Sequence, residues 1–425
     1  VNLLRDAGPK AILIERSAHI ARGVAYSAPD PALLLNVRAA NMSALPDRPD
    51  HFIDWLAQRG VASDGFAPRA LYGEYLTELL EDSRQTDPSR LEIVSGDAIA
   101  AEVGDAVRVR LASGEVVTGD TLVLASGNLP PVAPPNLNPD GLAPGRYVAD
   151  PWHGDLAGGL GADDTVLILG TGLTMIDAAL LLDRRGFRGR IVALSRRGLL
   201  PHRHAPLPAP PGLAERPPVE VTRLLRTVRK RAAAIGWRSA VDELRPWTRS
   251  LWLAGTVPQR ARFLRHLRPW WDIHRHRIAP RVAEQIDSLR AEGRLRIVAG
   301  RLLGATDRVL TWCPRGADHV EEMLVDRIVN CTGPQVDLDS CTEPLLRSLR
   351  DAGHITPDPL RLGVATDPVA RAIDVSGRPG ERLFALGPLT KGTFWEMTAV
   401  PDIREQAWTL ARRLSHAQWV GGEGL

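Results

Sequence analysis

Thr165-Val-Leu-Ile-Leu-Gly-Thr-Gly-Leu-Thr-Met-Ile-Asp177 carries an apolar strand into a glycine turn and then into a helix. A βαβ unit that binds a dinucleotide opens in this way. Gly170 permits the tight turn, and Gly172 lets the backbone of Thr171, Leu173 and Thr174 approach a pyrophosphate at the helix N-terminus. Met175 stands at the third fingerprint position, where glycine or alanine is usual, so looser helix–strand packing is expected there. The following strand, Arg190-Ile-Val-Ala-Leu-Ser195, ends roughly 25 residues beyond Gly170, a βαβ interval. An acid at its end would bond the ribose hydroxyls of NAD. The sequence has Ser195-Arg196-Arg197 instead. Paired guanidinium groups suit a 2′-phosphate, which favours NADP over NAD. A solvated arginine-rich turn is the competing reading.

Outward from this stretch, the chain repeats itself. Leu91-Glu-Ile-Val-Ser-Gly96, an alternating stretch and Asp120-Thr-Leu-Val-Leu-Ala-Ser-Gly127 match Leu295-Arg-Ile-Val-Ala-Gly300, another alternating stretch and Asp326-Arg-Ile-Val-Asn-Cys-Thr-Gly333. Only two copies occur, which implies a duplicated supersecondary unit and not a solenoid. The counterpart of Arg190–Ser195 is Lys10-Ala-Ile-Leu-Ile-Glu15. A carboxylate at Glu15 suits the adenosine ribose of FAD, against the plainer reading of a surface glutamate. Ala125-Ser126-Gly127 and Cys331-Thr332-Gly333 end apolar strands in small residues that let backbone pass close to a dinucleotide. Projecting back by the same interval places a first glycine loop about ten residues before Val1. The sequence as given is therefore expected to lack its first strand and phosphate-binding loop, with Val1–Gly8 the end of the first helix.

The expected fold is α/β, with two Rossmann-like dinucleotide-binding domains. The FAD-type domain is discontinuous, over residues 1–150 and 326–425. The NAD(P)-type domain is inserted at 151–325 and includes a helical block at 219–290, which caps the nicotinamide domain or walls the substrate side. Prolines at 130–135 and 201–218 mark the linkers.

Composition narrows the class. At 425 residues and 44% hydrophobic content the chain can build more than one full core. Three cysteines cannot form a disulfide framework and suit a reducing, cytoplasmic setting. No apolar run of about 18 residues is present, so no membrane span is expected. Only three of the 53 basic residues are lysine, but 50 acids leave a net charge of +3, so arginine abundance does not argue for nucleic acid. Cys331 lacks a CxxC partner and reads as a small buried residue. His202-x-His204 and His274-x-His276 lack a second ligand cluster, so no metal is expected.

Gly23-Val-Ala-Tyr-Ser27, Leu34-Leu-Asn-Val37, Met42-Ser-Ala-Leu-Pro-Asp47 and His51-Phe-Ile-Asp-Trp55 add longer motifs. So do Ser195-Arg-Arg-Gly-Leu-Leu-Pro201, Arg265-His-Leu-Arg-Pro-Trp-Trp-Asp-Ile-His-Arg-His-Arg277 and the run from Leu386-Gly-Pro-Leu to Pro401-Asp-Ile-Arg404. Over nearly its whole length the chain resembles the FAD/NAD(P)-binding oxidoreductase family related to flavoprotein monooxygenases, one branch of which resembles FAD-dependent urate hydroxylases. The resemblance implies that Glu15 and Arg16 hold the adenosine of FAD and that Gly23 to Tyr26 run near the flavin. It also implies that Gly387 and the segment after Phe394 face the ribityl and isoalloxazine region. The expected activity is FAD-dependent, NADPH-using oxidation of a small molecule, of monooxygenase type. The alternative is an NADP-binding protein without flavin. No catalytic side chain is singled out, because the chemistry belongs to the cofactor.

Overall fold

The computed structural model describes residues 1–5, 8–27, 30–62, 65–152, 154–206 and 212–415. Part of the second proline-rich linker and the last ten residues of the final segment lie outside the described residues.

The strand Thr165–Leu169 is buried along its whole length, as its unbroken apolar run requires of a parallel strand covered on both faces. It pairs in parallel with Arg190–Ser195 on one side and Arg327–Asn330 on the other. The sheet has seven strands: Glu321–Leu324, Val309–Pro314, Leu295–Thr306, Arg190–Ser195, Thr165–Leu169, Arg327–Asn330 and Tyr147–Val148, in that spatial order. The helix Leu173–Arg184 packs one face of it, burying every residue from Met175 to Leu182. Met175 is itself fully buried in the core with Val166 and Ile168, so its side chain fills the contact that was expected to be loose. Each such apolar side chain stabilises the fold by roughly 1.5–3 kcal/mol. Gly186, at φ 86°, ends the helix in a left-handed turn, with Phe187 N–H bonding Leu182 O at 3.0 Å.

The duplication is visible in the registers. Ala11–Glu15 pairs in parallel with Leu91–Ser95, Ala11 opposite Leu91 and Glu15 opposite Ser95. In the second unit Ile191 stands opposite Leu295 and Ser195 opposite Ala299. An antiparallel meander follows in both, through Ala98–Val103, Val107–Leu111 and Val116–Gly119 in the first. Leu122–Leu124 then pairs with Pro379–Ala385, as Arg327–Asn330 pairs with Tyr147–Val148. One position differs. Among the described residues, no strand stands between Ala11–Glu15 and Leu122–Leu124 where Thr165–Leu169 stands in the second unit, so the parallel strands of the first unit fall in two separate sheets, with the meander a third.

Hydrogen bonding also moves the expected domain limits. Tyr147–Val148 and Arg327–Asn330, assigned above to the first unit, are strands of the second sheet. The chain therefore crosses between sheets within 125–146, and returns after Asn330. Helices from Val221–Ile235 to Pro280–Ala291 form the helical block. A buried ion pair joins the units: Arg69, at the start of the helix Arg69–Thr86, bonds Asp177 of the glycine-turn helix at 2.8 Å. No helix among the described residues is long and apolar enough to cross a membrane.

Candidate functional site: two crevices at the strand ends

The second crevice opens at the C-terminal ends of Thr165–Leu169 and Arg327–Asn330, where open α/β sheets bind ligands. Gly170 has φ 109°, and a Cβ there would collide with the Cys331 carbonyl oxygen and lie 2.8 Å from its carbon. Only glycine fits. Gly172 differs: its φ is −86°, and an added Cβ would meet nothing within 4 Å. The space in front of it is open, and the helix beginning at Leu173 has no side-chain cap. Its first-turn N–H groups therefore face a cradle suited to an anion. The Leu173 side chain turns inward against the core.

The Thr171 and Ser195 hydroxyls bond within the protein. The Thr171 hydroxyl donates to Leu199 O at 2.6 Å, and the Ser195 hydroxyl donates to Thr171 Oγ1 at 2.9 Å while accepting from Gly198 N–H at 3.0 Å. This chain of bonds ties the glycine turn to the turn that carries the two arginines. Arg196 is exposed and Arg197 half-buried, and neither guanidinium has an ion pair or hydrogen bond among the described residues. Thr332 is held by Asn330, whose Oδ1 accepts from its N–H and hydroxyl at 3.2 and 2.7 Å. Gly333, at φ 100°, leaves open space beside it.

The first crevice is built from equivalent positions. Gly127, at φ 70°, is open, and Ala125 and Ser126 are exposed. Gly23 and Gly387, at φ 62° and 66°, also face open space. The Gly387 N–H is already bonded, to Gln406 Oε1 at 2.8 Å. Glu15 ends its strand with Oε1 accepting from Ser17 N–H at 2.8 Å. Arg16 occupies the position of Arg196, but Glu343 at 2.9 Å and Asp97 at 3.7 Å take its charge. Tyr26 and Phe394 pack against other side chains. Tyr26 packs edge-on against Tyr72, and Phe394 is 2% exposed, packed with Ala370 and Met397.

Residues 2–129 match the FAD-NAD(P)-binding family model. No curated protein matches the sequence significantly. Solved structures match over almost the whole chain. An ornithine N-hydroxylase from Kutzneria sp. 744, with reduced FAD, NADP+ and L-ornithine, is 16% identical, covering 98% of this chain and 96% of its own, with a TM-score of 0.61. L-lysine 6-monooxygenase from Pseudomonas syringae is 17% identical over 95% and 91% of the two chains, with a TM-score of 0.62. Bacillithiol disulfide reductase from Staphylococcus aureus is 12% identical over 98% and 94%, with a TM-score of 0.60. The chain shares the fold of these three proteins.

Within that fold, three features have roles that the sequence did not announce. Asp177 belongs to the glycine-turn motif, but its pairing with Arg69 spans 108 residues. Burial pushes its carboxyl up to about 6 despite the Arg69 charge. The only signal was an acid inside an otherwise apolar helix. His204 bonds Asn36 O through Nε2 at 3.0 Å and lies against Phe66, and burial lowers it to about 4. With the Arg38 bond to Ala205 O at 3.1 Å, it ties the segment after the arginine turn to the first unit. The third is a cluster of buried charges around Glu396. Cys331 is buried, and its thiol is pushed far above its usual range by that burial. No group of three potential metal ligands occurs among the described residues.

Proposed function

We propose that the protein is an FAD-dependent, NADPH-using oxidoreductase of monooxygenase type that acts on a small molecule. The carrying observation is the second crevice, where a glycine turn with open space before it, an uncapped helix start and, after the neighbouring strand, two unpaired arginines occur together. The pyrophosphate of NADPH would lie at Gly172 and its 2′-phosphate at Arg196 and Arg197. The first crevice, equivalent in register, would hold FAD, with Glu15 on the adenosine ribose and Gly127 and Gly387 admitting close backbone approach. The family match of residues 2–129 and the hydroxylase neighbours support this reading over one without flavin.

When bound, FAD supplies the redox chemistry, accepting hydride from NADPH and passing electrons to oxygen. The chain's own residues bind, orient and exclude water. The overall balance consumes one oxygen and one NADPH with a proton, and yields hydroxylated substrate, water and NADP+. The test is to load the purified protein with FAD and follow flavin absorbance under NADPH and NADH, with oxygen uptake in parallel. Flavin retention with NADPH-preferred bleaching and oxygen uptake is expected. A protein that binds NADPH but takes up no added FAD would overturn the proposal.

A further inference from the structure

Ser195 closes the turn that carries the two arginines. Its hydroxyl oxygen accepts from Gly198 N–H at 3.0 Å, and the residues enclosed by that bond are Arg196 and Arg197. Gly198 holds the closing position at φ 60°, where a side chain would be strained and its Cβ would press on Ala299 at 3.1 Å. The Ser195 proton is committed as well. Thr171 has a single hydroxyl proton and donates it to Leu199 O at 2.6 Å, so the 2.9 Å bond between the two hydroxyls uses the proton of Ser195. Thr171 is 7% exposed and has no donor left for a ligand. These bonds lie outside the sheet ladder. Backbone already ties the strand end to the glycine turn, with Gly170 N–H bonding Leu194 O at 2.8 Å. What the hydroxyls fix is the path of the chain over 195–199.

The first unit is built differently at the same place. Glu15 occupies the position of Ser195, and its carboxylate accepts from Ser17 N–H at 2.8 Å, two residues on. That bond encloses Arg16 alone, whose charge Glu343 takes. In the second unit the bond encloses two arginines, and neither guanidinium has a hydrogen bond or ion pair among the described residues. An unpaired guanidinium on a fixed backbone loses less freedom in gripping an anion than one on a loose turn.

We infer that Ser195 and Thr171 are positioning residues for the 2′-phosphate of the nucleotide: their hydroxyls, bonded to each other, to Gly198 N–H and to Leu199 O, hold Arg196 and Arg197 in place without touching the phosphate. This rests on the NADPH reading above. The same hydroxyl pair links the turn assigned to the pyrophosphate with the turn assigned to the 2′-phosphate, and so sets the spacing of two anion sites on one nucleotide.

The test measures NADP+ and NAD+ binding to the full chain by titration calorimetry, with the oxidised nucleotides so that no turnover intervenes. The readout is the ratio of the two affinities, from which any effect shared through the common pyrophosphate cancels. Ser195→Ala and Thr171→Val should each lower the NADP+ preference roughly three- to tenfold, the worth of one hydrogen bond. Ser195→Thr and Thr171→Ser keep the hydroxyls and should hold the ratio near the parent value. A folded Thr171→Val protein with the parent ratio would overturn the inference. If Ser195→Ala alone lowered the ratio, Ser195 would be a direct phosphate ligand and the positioning role would be refuted. Should Ser195→Ala not fold, the two Thr171 variants decide. A parent protein that binds both nucleotides equally would sink the NADPH reading and this inference together, whereas a parent that prefers NADP+ confines any failure to the hydroxyl pair.

Discussion

Gly170 and Gly172 are predicted to fail in opposite ways when substituted. A Cβ at Gly170 would sit at φ 109° and collide with backbone at Cys331, which no rotamer change can relieve. The conformation costs about 1–3 kcal/mol, and forcing the strand end away costs a further ~1–3 kcal/mol. Gly170→Ala should therefore lose about 2–6 kcal/mol, a large part of the roughly 5–15 kcal/mol that holds a domain folded. Gly172 has no positive φ to protect and nothing within 4 Å of an added Cβ. Gly172→Val should cost the fold no more than about 1 kcal/mol, the penalty of a poor N-cap residue. Its branched side chain would stand where the pyrophosphate is proposed to lie, so NADPH binding and NADPH-driven flavin bleaching should be lost. Denaturant unfolding and stopped-flow reduction of the FAD-loaded protein separate the two effects. A Gly172→Val protein bleached by NADPH at the parent rate would refute the placement of the nucleotide. A Gly170→Ala protein as stable as the parent would refute the collision.

Replacing Arg196 and Arg197 together by alanine should weaken NADPH by ten- to a hundredfold, from about 1.5–3 kcal/mol of lost charge-assisted bonding, and leave NADH nearly unchanged; titration calorimetry with both nucleotides decides it. Asp177 carries a carboxyl raised in the folded state to about 6 from 3.8, so its contribution is full at low pH and is lost as pH rises from about 4 through about 6. Unfolding measured across that window should show a parent-minus-Asp177→Asn difference of roughly 3 kcal/mol, falling with pH. His204 works in the opposite sense: lowered to about 4 from 6.5, it stabilises above pH 6.5 and loses that contribution as pH falls toward 4. A His204→Gln protein should lack this part of the acid sensitivity in the same unfolding series.

The strand–turn–helix at 165–184 was legible because a strand covered on both faces must be continuously apolar, and because the turn has a glycine no other residue can replace. The duplicated registers were legible for the same reason: Leu91 and Leu295 open matching strands, with Gly96 just past the end of the first and Gly300 inside the longer second. Tyr147–Val148 was missed because a two-residue strand shows no periodicity. The packing of Tyr26 on Tyr72 and of Phe394 on Met397 was not legible because both lie in short helices, where neither two- nor 3.6-residue alternation indicates a face. Asp177–Arg69 and Trp271–Glu396 join residues 108 and 125 positions apart, so no local spacing could announce them.

The matched registers also carry a rule for sorting the two nucleotides. Glu15-Arg16 and Ser195-Arg196 occupy the same place in the two units, so an arginine follows both strand ends. Its surroundings differ. Arg16 is neutralised by Glu343 and preceded by a carboxylate, whereas Arg196 is unpaired and joined by Arg197. A 2′-phosphorylated nucleotide entering the first crevice would meet repulsion from Glu15, and at the second it would meet two open cations. If the two clefts hold FAD and NADPH as proposed, the company each arginine keeps would stop them from exchanging occupants.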